Sequence, residues 1–259
     1  MEYYPFNLPF IIITLLFLAA FILVTRAVRD LSDEKKRKIL ARTMIFTIAL
    51  FVVYKFILFT DKDYSRINYE AGIGGFSWWK ELPLHLCNIN MILIPISMKT
   101  HNRRLELFSF YVGPLGAFMA LLMPATGFVG YSVFLPRMIC FIVTHWLIFY
   151  ACMAIGVWRI AVPEWKDYFP TILTILIVNI FIFGFNMLLR GLRLEPHANY
   201  FYNVETEGNF VLDLFFKIIP LKFFYSLLAS VILMPYMCIV TLISRFFEKK
   251  RNGMLLKNN

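Results

Sequence analysis

Seven stretches of this chain, roughly 8–28, 41–60, 82–98, 106–123, 136–158, 168–189 and 216–245, are long apolar runs with few charges. An α-helix needs about 20 mainly apolar residues to cross the hydrocarbon of a bilayer. Lipid offers the backbone no hydrogen-bond partners, so each crossing has to satisfy its own N–H and C=O groups. The runs therefore predict an all-α, polytopic membrane protein of about seven transmembrane helices, with residues 1–259 forming one transmembrane helical domain. The 60% hydrophobic content and mean hydropathy of +0.69 agree, being far above those of a soluble domain. The third and fourth runs are short, and the fourth holds Gly113, Pro114 and Gly116, so a tilt or a break is expected there.

A net charge of +10 would suggest nucleic acid in a soluble protein. Here the basic residues gather just outside the apolar runs, where anionic lipid attracts them, and they are read as topology rather than as a nucleic-acid surface. With the N-terminus outside, 17 of the 26 Lys and Arg fall on the inner side, including those of DLSDEKKRKIL. Lys and Arg enrichment marks the cytoplasmic side, so the expected orientation is N-terminus out and C-terminus in, as a multi-pass protein of the cell membrane in contact with membrane lipids. The opening MEYYPFNLPF lacks the basic start of a cleavable signal, so the run from Leu8 to Val24 is expected to stay as the first span. The outer connections 61–81 and 190–215 are the long ones, which places the larger functional surface outside. Oligomeric state is not legible.

Within this apolar frame, ELPLHLCNIN puts His85, Cys87, Asn88 and Asn90 at the mouth of the third run, and RMICFIVTHWLIFY puts His145 inside the fifth. Polar groups are costly in a bilayer and mark function there. The third span is expected to begin near Leu82, with Pro83 in its first turn and Glu81 at the positive end of the helix dipole. On such a helix His85 and Cys87 point to different faces, while Asn90 shares the face of Cys87 and Asn88 that of His85. The better partner for Cys87 is His145. Counting about 1.5 Å per residue from the outer ends, the two differ in depth by only one helical turn.

A Cys and a His at matched depth suit nucleophilic catalysis, with Cys87 as nucleophile, His145 as base and Asn90 as a donor to an oxyanion. Arg137 at the outer end of the His145 span is a candidate for a phosphate or carboxylate headgroup, and His85 and Asn88 for further substrate contacts. Cys140, Cys152 and Cys238 read as packing residues, and Lys55 as one that snorkels to the surface. No metal set is expected, since His85, Cys87 and His145 lack a fourth ligand and any HxxxH or CxxC spacing, and no cofactor is called for. A transporter or ligand-binding protein stays open as an alternative, with His85, Asn88, Asn90, Lys55, Arg137 and Asp213 around a polar cavity.

LPLHLCNINMILIPISM, followed by a Gly-rich span and RMICFIVTHW, resembles the YwaF-like integral membrane proteins of Firmicutes, whose hallmark is the LPLHLC segment. NYFYN, from Asn199 to Asn203, resembles the NY motif those proteins carry before their last span, which adds Asn199 and Tyr200 as candidate substrate contacts. That family is in turn similar to a eukaryotic membrane acyltransferase family that remodels ether phospholipids. The resemblance implies a lipid acyltransferase or lipid-ester hydrolase, with Cys87 as nucleophile and His145 as base. Where those proteins carry a polar residue between the Arg and His of the fifth span, this chain has Cys140.

Overall fold

The computed structural model describes residues 1–72, 74–125 and 127–255. They form nine α-helices and no strand, with one isolated bridge between Glu2 and Ser132. In chain order the helices are α1 (Leu8–Ala27), α2 (Asp33–Thr60), α3 (Lys62–Glu70), α4 (Asn90–Thr100), α5 (Arg103–Leu122), α6 (Pro136–Val157), α7 (Tyr168–Gly191), α8 (Phe210–Ile218) and α9 (Phe224–Leu255). Among the described residues, six of the helical segments are long and apolar enough to cross a membrane, carried by α1, α2, α5, α6, α7 and α9.

The difference from seven lies in the third run. Its expected helix from Leu82 does not form; residues 82–89 are a series of turns, and α4 starts at Asn90 and lasts 11 residues. The chain still passes from end to end there. Arg37 near the start of α2 pairs with Glu106 near the start of α5, so the end of α2 and the start of α5 lie at opposite ends, with α4 and its preceding turns between them. The last run differs as well: residues 216–245 are split by a break at 219–223, leaving α8 as a separate amphipathic piece before α9. Pro220 explains it, since it holds the preceding Ile219 in an extended conformation. The connection 61–81 contains α3, whose Asp61 cap accepts from the Tyr64 N–H.

Ion pairs gather at the two ends of the bundle. One end carries Arg37–Glu106, Arg103–Asp167 at 2.6 Å and Arg159–Glu248; the other carries Arg137–Asp61 at 2.6 Å, Lys55–Glu81 at 2.6 Å and Arg190–Glu205 at 2.7 Å. The start of α1 belongs to the second end, where the Tyr3 hydroxyl donates to the Leu121 carbonyl at the close of α5. The end of α9 belongs to the first. Chain start and chain end thus lie on opposite sides.

Helices α2, α4, α5 and α6 form the packed centre. Met44, Leu58, Met91, Ile94, Phe108, Leu121, Met138 and Ile148 are buried there. Helix α1 is peripheral: Phe10 is its buried residue, and Phe17 and Phe21 stack on Trp146 and Tyr150 of α6. Two glycines of α5 let the broken third passage come close. A Cβ on Gly116 would sit 3.3 Å from the Cys87 backbone nitrogen, and one on Gly113 only 2.1 Å from the Cys152 sulfur and 3.3 Å from Asn90 Cγ. The backbone around Cys87 therefore packs directly on the backbone of α5.

Candidate active site

The broken third passage delivers Cys87 to the centre of the bundle. Ile89 N–H donates to the His85 carbonyl, Asn90 N–H to Cys87 and Met91 N–H to Asn88, so the chain is already turning before α4 begins. As at any helix start, the first N–H groups have no carbonyl partner. Among the described residues no carbonyl accepts from the N–H groups of His85, Leu86, Cys87 or Asn88.

The Cys87 sulfur lies 3.6 Å from His145 Nε2, within reach of a thiol hydrogen bond, and 3.5 Å from Asn88 Oδ1. The other ring nitrogen of His145, Nδ1, is 2.8 Å from the Phe141 carbonyl oxygen. A carbonyl can only accept, so Nδ1 carries the proton and Nε2 offers its lone pair to the thiol. The Phe141 ring also packs on the imidazole at 4.5 Å. Both Cys87 and His145 are buried.

The pair borders a cavity of about 470 Å³ between α2, α5, α6, α7, α8 and α9. Its inner part is walled by Phe108, Val112, Ile175 and Leu233, and its outer part by Lys55, Tyr64, Glu81, His85, Asn199 and Tyr202. Such a space suits a molecule with an apolar body and one polar end.

The remaining expected site residues divide by what they touch. His85 and Asn88 line the cavity, and the His85 ring packs on Tyr200 and Tyr202 at 5.1 and 5.7 Å. Asn90 is fully buried, and its amide nitrogen donates to the carbonyls of Leu86 at 2.8 Å and Cys87 at 3.4 Å. Both amide hydrogens are thereby used on the backbone, and the atom left without a partner is the acceptor Oδ1. Asn90 shapes the turn that carries Cys87 in place of the oxyanion contact expected of it.

Arg137 is away from the cavity. Its guanidinium pairs with Asp61 and lies 4.3 Å over the Tyr131 ring, which binds the start of α6 to the end of α2. Asp213 on α8 is not a lining residue either. Asn199 and Tyr200 do border the cavity, but their polar atoms hold the outer loop together. Asn199 Oδ1 accepts from the N–H groups of Val204 and Glu205. The Tyr200 hydroxyl donates to the Trp79 carbonyl and accepts from Leu82 N–H. Asn186 of α7 pins this loop from below, donating to the Tyr200 carbonyl and to Asn203 and accepting from Tyr200 N–H.

Lys55 does not snorkel to the surface. It is buried, pairs with Glu81 and sits 4.5 and 4.4 Å over the rings of Phe51 and Tyr54. Glu81 is no helix cap; it also accepts from the Tyr64 hydroxyl at 3.0 Å. Burial works to raise its pKa, but Lys55 and Tyr64 outweigh burial and hold it below the ordinary carboxylate value. A cation near the end of one run and an anion at the mouth of the next, at similar depth, was the signal for this pair.

Fold and site together define a multi-pass helical membrane protein with a buried thiol and imidazole in contact at the edge of an amphiphilic cavity. Residues 3–241 match the TMEM164 family, and the chain belongs to that family. Comparison with curated proteins and with solved structures finds no match.

Proposed function

We propose that the protein is a lipid acyltransferase or lipid-ester hydrolase of the cell membrane that works through a thioester on Cys87. The observation that carries the reading is the 3.6 Å contact between Cys87 Sγ and the unprotonated Nε2 of His145, beside N–H groups without carbonyl partners. His145 takes the thiol proton as sulfur attacks an ester carbonyl carbon, and the N–H groups of Cys87 and Asn88 receive the developing oxyanion. The tetrahedral centre collapses with cleavage of the ester C–O bond, and the imidazolium returns its proton to the departing lipid alcohol. A second alcohol, or water, then attacks the thioester with His145 again as base, freeing the thiol. The cavity opens toward the outer side, the orientation favoured by the Lys and Arg count. Membership of the TMEM164 family and the LPLHLC likeness to YwaF-like proteins support the same reading. The ion pairs of Lys55 and Arg137 leave those cations engaged within the protein, which favours an enzyme over a solute carrier.

The test is labelling of the full chain in membranes with an alkyne fatty-acyl phospholipid, followed by hydroxylamine. A hydroxylamine-sensitive adduct that is lost in Cys87→Ala and His145→Ala is the expected result. No adduct on folded wild-type protein would remove the thioester mechanism.

A further inference from the structure

The cavity continues inward past Cys87. Cys87 lies level with Gly116 of α5, and the lining residues Val112 and Phe108 follow one and two turns deeper on the same helix. From Gly116 to Phe108 is about 12 Å at the helical rise of 1.5 Å per residue. Ile175 of α7 and Leu233 of α9 complete the wall at this depth, and among the described residues no ionisable side chain lines this part. Phe108 is fully buried and is the deepest of the α5 residues that line the cavity. Just beside it the Tyr111 hydroxyl meets Thr241 of α9 at 2.6 Å, among the described residues the hydrogen bond that joins α5 to α9. Toward the outer end of α5, Leu115, Met119 and Met123 line the cavity and are each more than a third exposed. Above, the cleft between α5 and α9 is bordered by Leu212 and Phe215 of α8, and below it is latched by the Tyr111–Thr241 bond.

Building on the acyl-transfer reading, we infer that this inner part is an acyl-chain channel in which Phe108 and Val112 set the chain length the site accepts. A chain whose carbonyl sits at Cys87 runs inward along α5 and ends against Phe108. Its length is then limited by how far below the sulfur the wall stands. An acyl chain enters past the part-exposed Leu115 and Met119 on the outer half of α5.

The experiment measures Cys87 adduct formation in membranes with a series of alkyne fatty-acyl phosphatidylcholines from medium to very long chain. Phe108→Ala is expected to move the preferred length upward, and Val112→Trp to reduce long-chain adducts roughly tenfold while sparing short ones, in line with the sensitivity of apolar pockets to single methylenes. Val112→Phe gives a second, smaller obstruction at the same depth should the Trp side chain prevent folding. Shifts in opposite directions for the enlarging and the filling substitutions support the channel. Adducts whose chain-length profile is the same in wild type, Phe108→Ala and Val112→Phe would overturn it while leaving the thioester mechanism intact. Absence of any adduct on wild type would remove the mechanism and the channel together.

Discussion

Gly113→Ala is the sharpest test of how the broken third passage is held. The new methyl carbon would lie 2.1 Å from Cys152 Sγ and 2.9 Å from Cys152 Cβ. Comfortable contact is about 3.5–4.0 Å, so the overlap with sulfur exceeds an ångström. Rotating the thiol leaves the Cβ clash, so α5 has to move away from α6. Forced overpacking of a tight core costs about 1–3 kcal/mol, and the upper half of that range fits a clash that no rotamer relieves. Replacing Cys152 by Gly removes both clashing atoms and introduces a mid-helix glycine, which costs about 1 kcal/mol. The double variant Gly113→Ala/Cys152→Gly is therefore expected to be about 1–2 kcal/mol more stable than Gly113→Ala alone, which with the glycine cost included is a coupling of about 2–3 kcal/mol, within the range for contacting residues. Denaturant titration of the detergent-solubilised protein, followed by intrinsic Trp fluorescence, measures it. Because the same methyl meets Asn90 Cγ at 3.3 Å, the single variant should also lose Cys87 adduct formation. A Gly113→Ala protein as stable as wild type, or a double variant no better than the single, would refute the packing argument.

Lys55→Met leaves Glu81 buried without its cation and should cost about 3–5 kcal/mol, read by the same titration. Glu81 has a folded-state pKa below its unfolded one. Its contribution is therefore present above about pH 4.3 and disappears as pH falls through the depressed folded value. Acid unfolding curves of wild type and Glu81→Gln should converge at low pH, and parallel curves would contradict the linkage. Asn186→Ala strands the Tyr200 N–H and carbonyl and should cost about 1–3 kcal/mol, seen as faster proteolysis within residues 193–208 while the bundle stays intact. Arg137→Ala should lower stability by releasing Asp61, yet leave adduct yield per folded molecule and its dependence on lipid concentration unchanged; weaker lipid dependence would return Arg137 to a headgroup role.

Much of the frame was legible in the apolar runs, because burial in lipid demands long apolar segments whatever they pack against. The depth of His145 was legible because a regular helix converts residue count into height, whereas Cys87 reaches its 3.6 Å contact through turns and not through the helix expected from Leu82. The backbone of 82–89 was not, since LPLHLC is equally apolar as a helix or as turns. What decides it is tertiary, namely close approach to Gly113 and Gly116 and the return of the Asn90 amide to the carbonyls of Leu86 and Cys87. The roles expected of Asn90 and Arg137 changed because side chains of the right chemistry found nearer partners. The break before α9 was marked by Pro220, inside a run whose hydropathy concealed it.

The Phe141 carbonyl behind His145 has an electrical consequence. In the Ser-His-Asp arrangement a carboxylate sits at this place and is ready to neutralise the imidazolium; here the second nitrogen meets a neutral dipole. A proton on His145 would therefore be an unbalanced cation in a low-dielectric interior, tolerable only while an anion stands beside it. Under the proposed mechanism that anion is the sulfur or the oxyanion itself. The site then acquires its two opposite charges together and gives them up together, so it rests electrically silent in the membrane until an ester carbonyl arrives.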